Sequence, residues 1–411
     1  MTATPSTPPD PAGGARDVVV HVVGRTDVGR TREHNEDAFA VARLGPRGAG
    51  DVDPAADDPD PEPVQPDGER VMRGDGALFM VADGMGGAAA GEIASSMAVD
   101  VVVREIRQRW RDSGAVDAET FAAALRAATA EANAHIHQFA TQHPEYRGMG
   151  TTATIAALLG DMLYLAQVGD SRAYLVRDGI ARQITKDQSL MQKLIEAGEI
   201  TAEEAEVSDR RNIILQALGP EAVVKVDLTH QRIRRGDTLI LCSDGLSGQV
   251  RADEIATTAM EEHDLERVCQ RLIDLANASG GPDNITVVAA RFHGEGLEVA
   301  ASDDEVGHRV FPVPGDDATP VLPVERYVRR SGPGVRSATA TAAPTDAAQA
   351  DPLAAADAAP ESGQGDAAAA ATSAAPAADA PGRRPIPVPG LIALGVLVAL
   401  ALLIAILQLQ R

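Results

Sequence analysis

Ala77-Leu78-Phe79-Met80-Val81-Ala82-Asp83-Gly84-Met85-Gly86-Gly87 decides how the rest of the chain is read. Six apolar residues run into a carboxylate, and glycines follow at once. The run predicts a buried strand with Asp83 at its tip, ahead of a helical pattern from about residue 92. Glycine allows φ > 0 and lets a backbone carbonyl come close to an ion. Asp83 with the Gly84 carbonyl can thus form half of a hard-cation site, since Mg²⁺, Mn²⁺ and Ca²⁺ favour oxygen ligands. The plainer alternative is a strand–turn–helix corner with Asp83 as a cap.

Recurrence separates the two. An apolar strand at 238–242 leads into Ser243-Asp244-Gly245-Leu246, Glu36-Asp37 precedes a strand at 38–44, and Asp283-Asn284 precedes a strand at 285–292. In a sandwich of antiparallel sheets, strand ends from distant sequence meet at one rim. Carboxylates gathered there repel one another unless cations hold them. Glu36 and Asp37 are adjacent and point to opposite faces of an extended chain, so one can bind a metal directly and the other through water. Two divalent ions sharing a carboxylate point to metal-assisted hydrolysis, with the pKa of a bridging water brought down to about 7–9. A phosphoryl substrate needs a cationic clamp, and Arg32, one helical turn's length before Glu36, is placed for it. The alternative is a set of capping and turn aspartates beside a surface arginine.

Outside these points the chain divides by composition. Residues 1–16 are rich in Pro, Ala and Thr and read as a disordered tail without the apolar region of a signal peptide. A strand at 18–23 carries His21. Residues 45–75 are rich in Gly, Pro and Asp and read as an acidic, flexible insertion between two strands. The 92–111 helix ends in Trp110, the only Trp. A second helix lines Phe121, Leu125, Ala128, Ala132, Ile136 and Phe139 along one face, with His135 and His137 beside it as core or surface residues. Short strands follow at 151–159, 162–168, 172–177 and 180–184. They are joined by Gly160-Asp161 and by Asp178-Gly179, a two-residue hairpin signal. Residues 189–206 read as short helices, with Thr201 and Glu204 as a capping box. Strands are expected at 223–228 and 238–242, and helices at 252–262 and over Leu265, Val268, Cys269, Leu272, Leu275 and Ala276.

From 295 to 385 the chain turns Ala/Pro/Asp-rich and reads as a disordered linker spanning about 50 Å as a coil. Residues 391–407 are seventeen positions without a polar side chain. Within 386–409 they are long enough for the ~30 Å core of a bilayer and are expected to form a transmembrane helix. Arg383 and Arg384 precede that stretch and only Arg411 follows it, which puts the long N-terminal side in the cytoplasm.

The 411 residues carry a formal net charge of −23, which argues against nucleic acid as a partner. Cys242 and Cys269 are the only cysteines, both in apolar patterns, and read as core thiols of a reducing compartment.

Over about residues 18–293 the chain resembles the metal-dependent Ser/Thr protein phosphatases of type 2C in their bacterial form. The resemblance rests on six motifs in order: Arg32 to Asn35-Glu36-Asp37, Asp83-Gly84-Met85-Gly86-Gly87, Gly150-Thr151-Thr152, Gly169-Asp170-Ser171-Arg172, Ser243-Asp244-Gly245-Leu246 and Asp283-Asn284-Ile285-Thr286. It implies an α+β fold, a four-layer α–β–β–α sandwich of two antiparallel sheets flanked by helices. It also implies two Mn²⁺ or Mg²⁺ ions, with Asp83 bridging them, Glu36 and the Gly84 carbonyl completing one position, and Asp244 and Asp283 completing the other. Asp37 is implied to act behind the metals and Arg32 to bind phosphate. Asp170 is implied to serve a third, weaker position together with Asp244. Hydrolysis is implied to proceed by attack of a metal-bridging water, without a phosphoenzyme. Residues 186–219 resemble a flap beside the active site.

Met85 stands where many eukaryotic members carry a histidine proposed as general acid. Gln188 and Ser208 stand where relatives often have histidine. The domain organisation expected is a tail at 1–16, a catalytic domain at 17–294, a linker at 295–385 and an anchor at 386–409. The expected partners are phosphorylated Ser/Thr proteins, Ser/Thr kinases with their substrates, and the membrane. The expected location is the cell membrane, single-pass, with the catalytic domain cytoplasmic. The alternatives are a phosphatase dedicated to one stress-signalling regulator and a catalytically silent module that binds phosphoproteins.

Overall fold

A computed structural model describes residues 18–44, 68–74, 76–86, 90–113, 117–301 and 304–312. Twelve strands among them build two antiparallel sheets. The first sheet holds β1 (Val19–Asp27), β3 (Arg70–Arg73), β8 (Arg172–Arg177), β9 (Ile180–Gln183), β11 (Thr238–Cys242) and β12 (Ile285–His293) in the order β3-β1-β12-β11-β8-β9. The second holds β2 (Asp37–Arg43), β4 (Gly76–Met85), β6 (Ala153–Leu159), β7 (Met162–Val168) and β10 (Asp227–Arg232) in the order β10-β7-β6-β4-β2, with β5 (Gly150–Thr151) paired to the end of β4.

The apolar run at 77–82 is continuous because β4 is buried on both faces. Ala77, Phe79 and Val81 enter the core between the sheets, where Phe79 meets Phe292 edge-on. Leu78, Met80 and Ala82 face α1 (Ala90–Ser113) and α2 (Ala118–Gln142) on the outside of the second sheet. On the outside of the first sheet lie α5 (Asp244–Ser247), α6 (Ala252–Glu261) and α7 (Leu265–Ala278). The result is the expected four layers.

Local chemistry sets the elements. Asp117 caps α2 by accepting from the Glu119 and Thr120 amides, and the expected stripe from Phe121 to Ile136 is buried. Asp178 and Gly179 both take positive φ, closing the β8–β9 hairpin. Two short helices, α3 (Leu190–Glu196) and α4 (Ala202–Glu206), stand on the excursion between β9 and β10, and the Thr201–Glu204 capping box forms. They share a small apolar cluster of their own, separate from the three main core layers.

Four expectations need correction. The insertion does not extend to 75: residues 70–73 form β3 on the edge of the first sheet, paired with β1. An Arg-Val-Met-Arg stretch buries only one apolar side chain, Met72, so it leaves no strand signal. The strand expected at 223–228 lies at Asp227–Arg232, because polar Thr229 and Gln231 are buried there and break the apolar pattern. The domain does not stop at 294. Leu297 is buried, and Phe311 packs edge-on against Tyr164 and His230 while its amide bonds the Leu228 carbonyl along β10. Arg234 binds this segment through both oxygens of Asp304 (2.7 Å each) and through Glu298 (2.6 Å). Fourth, Asp83 and Asp244 are not two copies of one construction: Asp83 and Gly84 remain within β4, whereas Asp244 opens α5.

The 1–16 tail, residues 45–67 of the insertion, the linker beyond 312 and the 386–409 anchor fall outside the described residues. Among the described residues no helix is long and apolar enough to cross a membrane.

Candidate active site

Antiparallel alternation brings the ends of β1, β4, β7 and β11 to the same rim as the starts of β2, β6, β8 and β12. Asp37 opens β2 and lies directly opposite Asp83 on β4. Asp170 sits in the turn from β7 to β8, Asp244 follows β11, and Asp283 precedes β12. Arg32 and Glu36 lie on the connection from β1 to β2. All eight residues singled out from the sequence thus reach one rim.

Backbone and hydroxyl contacts hold the carboxylates. The Gly84 amide donates to the Glu36 carbonyl (3.1 Å), tying the two acidic segments together. A Cβ at Gly84 would overlap the carbonyl oxygens of Gly91 and Glu36, and one at Gly91 would press on the Glu36 carboxylate. The Asp83 amide donates to Thr152 Oγ1 (2.9 Å), and the Asp83 carbonyl accepts from Thr151 Oγ1 and the Thr152 amide. Asp37 Oδ2 accepts from Ser243 Oγ (2.8 Å) and Thr286 Oγ1 (2.6 Å). Asn284 locks the β1–β2 connection by donating to the Val28 and His34 carbonyls and accepting from the Glu36 amide. Arg32 reaches across to Asp283 Oδ2 at 2.8 Å, with its guanidinium half-exposed at the mouth.

The electrostatics are those of a site short of positive charge. Burial pushes Asp37 up to about 7 and Asp170 up to about 8, and the neighbouring Asp244 charge adds to both. Asp83 is held well above the usual carboxylate range by burial and then by Asp37, Asp244, Asp170 and Asp283. Asp244 rises through burial and Asp283, and Glu36 rises through burial against the opposing pull of Arg32. Asp37 Oδ1 and Asp170 Oδ1 are buried without a hydrogen-bond partner. An all-oxygen donor set with orphaned buried oxygens and a surplus of negative charge suits hard divalent cations. Among the described residues, no three acidic side chains are drawn close enough to enclose an ion as they stand.

Comparison with known proteins agrees with this geometry. The family model described as Protein phosphatase 2C matches residues 67–284. A serine/threonine phosphatase, Stp, of Listeria monocytogenes is 36% identical over 270 residues, covering 66% of this chain and 94% of that protein. The chain belongs to the protein phosphatase 2C family. The chain is also similar to PstP of Mycobacterium tuberculosis in both sequence and structure. The curated PstP is 42% identical over 214 residues, covering 52% of this chain and 40% of PstP. The crystal structure of PstP/Ppp superposes with a TM-score of 0.53 at 35% identity, covering 68% of this chain and 99% of that one. The PstP catalytic domain has also been solved in complex with two manganese ions, at 35% identity and a TM-score of 0.52, covering 67% of this chain and 99% of that one. Family phosphatases use Mn²⁺ or Mg²⁺.

The structure adds residues that carry no role in the sequence reading. Gly91 makes room for Glu36, and its signal is a glycine in the first turn of a long helix. Thr151, Thr152, Ser243, Asn284 and Thr286 lie inside quoted motifs, but only their contacts show that they orient Asp83, Asp37 and Glu36. Met85 is 36% exposed at the rim and has no proton to give, so it is no general acid.

Proposed function

We propose that this enzyme hydrolyses phosphoserine and phosphothreonine in proteins at a dinuclear Mn²⁺ or Mg²⁺ centre, tethered to the cytoplasmic face of a membrane. The observation that carries the reading is the convergence of Glu36, Asp37, Asp83, Asp170, Asp244 and Asp283 on one rim, with buried oxygens left unpartnered. Asp83, at the centre of the charge cluster, would hold two ions together with Glu36, the Gly84 carbonyl, Asp244 and Asp283. Asp170 with Asp244 is suited to a third, weaker position. When bound, the ions supply a nucleophile from water near neutral pH and offset charge on the phosphoryl oxygens.

The chain's own residues do the rest. Asp37 is held by Ser243 and Thr286 through one oxygen, which leaves the other to orient water by accepting its proton in a hydrogen bond. Arg32, half-exposed at the mouth beside Asp283, would bind the phosphoryl group, since its guanidinium fork can donate to two phosphoryl oxygens at once where lysine cannot. The substrates are phosphorylated Ser/Thr proteins, with Ser/Thr kinases and their substrates as the class to search. The tether rests on the apolar stretch within 386–409 and on the Arg383-Arg384 pair before it.

The test is phosphate release from a phosphothreonine peptide by the full-length chain with Mn²⁺, with Mg²⁺ and with EDTA. Turnover that needs the metal supports the reading. Equal turnover in EDTA contradicts the metal centre, and no release under any condition contradicts the hydrolase.

A further inference from the structure

A phosphorylated peptide brings negative charge to a chain whose own formal net charge is −23. Binding it calls for local positive charge at the mouth of the site. Arg32 is there, 2.8 Å from Asp283 and placed for the phosphoryl group. Two further arginines stand on the same rim. Arg30 lies on the connection from β1 to β2, and Arg147 on the connection from α2 to β5. Both are exposed, and among the described residues neither guanidinium has an ion-pair or hydrogen-bond partner. Most cations on the described surface are paired instead: Arg104 and Arg109 with Glu105, Arg232 with Asp161, Arg271 with Glu261 and Glu262.

The backbone fixes where each cation stands. The Arg30 amide donates to the Gly281 carbonyl (2.7 Å), in the turn that leads from α7 to Asp283. Gly29 has φ +81, and a Cβ there would overlap the Asp283 carbonyl, so the Arg30 segment packs directly on the Asp283 segment. On the other side, Gly150 lies opposite Met85 in the β4–β5 pair, and a Cβ at Gly86 would meet Met149 Cα at 3.0 Å. The Arg147 amide donates to the Pro144 carbonyl (3.3 Å), closing the short turn after α2. Three residues of chain separate Arg147 from Gly150, a reach of at most about 10 Å from the strand end that carries Asp83 and Gly84. α7 covers the outside of the first sheet and α2 the outside of the second, so the two cations flank the mouth from opposite layers.

We propose that Arg30 and Arg147 are specificity-determining residues that bind anionic groups flanking the phosphorylated residue, so that the preferred substrates carry further carboxylates or a second phosphate close to the first. The inference rests on the hydrolase reading above and deepens it by naming the substrate class. With Arg32 on the phosphoryl group, Arg30, two positions before it, meets an anion on a neighbouring substrate residue. An extended substrate advances about 3.3 Å per residue, so Arg147 meets an anion about three to five residues away on the other side. Neither arginine touches the reacting atoms, so each acts on KM rather than on kcat. Exposed charge pairs are individually weak and screened by salt, and the preference carries that signature. Uncharged flanks leave both cations unpaired and gain nothing from them.

The experiment is steady-state kinetics on the full-length chain with Mn²⁺. The substrates are phosphothreonine peptides of equal length whose flanks are uncharged, rich in aspartate, or carry one non-hydrolysable phosphonate, beside p-nitrophenyl phosphate, which has no flanks. Arg30→Gln, Arg147→Gln and the double variant are compared with wild type and with Arg111→Gln. The last removes an exposed arginine in the final turn of α1, a helix length from the rim. Wild type is expected to favour anionic over uncharged flanks by about fivefold or more in kcat/KM at low salt, and about 0.5 M NaCl to suppress the preference. Each single substitution is expected to remove about two- to fourfold of it through KM, and the double variant most of it. Arg111→Gln is expected to keep the wild-type preference. Preference for the phosphonate peptide alone assigns the two positions to a second phosphate, and preference for both anionic peptides assigns them to either anion. A wild type indifferent to flanking charge overturns the proposal and leaves the hydrolase reading in place. So does a double variant that keeps the preference, or an Arg111→Gln variant that loses it equally. A chain that releases phosphate neither from any peptide nor from p-nitrophenyl phosphate overturns the hydrolase reading, and the inference with it.

Discussion

Asp37 and Asp170 are buried and Asp83 and Asp244 half-buried carboxylates whose charges face one another, and their behaviour without metal follows from that. A carboxylate whose folded pKa is raised binds protons more tightly folded than unfolded. Its penalty on stability is absent below the unfolded value near 4, grows as pH rises, and is complete above the folded value. Asp37 at about 7 and Asp170 at about 8 place that window between about pH 4 and pH 8. Thermal unfolding in EDTA is expected to show stability falling across this window, and Mn²⁺ is expected to restore it most at the alkaline end, with proton release on binding. A melting temperature in EDTA that rises from pH 5 to pH 8 would count against the buried cluster. The two thiols titrate out of reach: burial pushes Cys242 and Cys269 up to about 12. Neither is expected to react with iodoacetamide in the folded chain at pH 8, and both are expected to react in denaturant. At this scale the sequence was informative about acidic residues and silent about their supports. Asp-Gly at a strand end is a local pattern; the hydroxyls that meet Asp37 come from positions 243 and 286 and are joined to it only by the fold.

At the scale of elements, the segment after β12 changes what counts as the catalytic domain. Phe311 extends the aromatic series Trp110, Phe121, Tyr164, each ring 5.5 Å from the next. Val310 bridges to Thr229, so this stretch pairs along β10, whose one strand partner among the described residues is β7. Covering such an edge protects it from pairing with other chains. Phe311→Ala is expected to cost about 2 kcal/mol in urea unfolding, less than a fully buried Phe because the ring is only partly covered. A chain ending at 296 is expected to melt lower and aggregate more than one ending at 312; equal melting would refute the bracing role. The sequence hides this segment because one Leu, one Phe and three scattered Val among acidic and small residues look like linker. β3 is hidden for the same reason, whereas α2 and α7 are plain because their apolar stripes repeat over several turns.

On the scale of the molecule, one sandwich holds the candidate site, and the proposed tether lies in the sequence beyond 312. The hairpins at 160–161 and 178–179 argued from the residues against a parallel sheet, whereas the four layers were legible only through the family resemblance. The contact between the segment after β9 and the turn after β7 was not, since it depends on Gln188 meeting Gly169 across a fold of the chain. For the tether, the full chain is expected in the membrane fraction, resistant to high salt and alkaline carbonate, and a chain lacking residues 386–411 is expected in the supernatant. Full-length protein released by salt alone would exclude a spanning anchor.

The most direct test of the central claim is Mn²⁺-dependent phosphate release by Asp83→Asn beside wild type, on full-length protein shown to be folded. Asparagine keeps the shape and removes the charge that two cations are to share. The account predicts turnover lower by about 10²–10⁴-fold, as expected where metal-held water is the nucleophile, together with weaker Mn²⁺ binding. Wild-type turnover with unchanged Mn²⁺ binding in Asp83→Asn would contradict it.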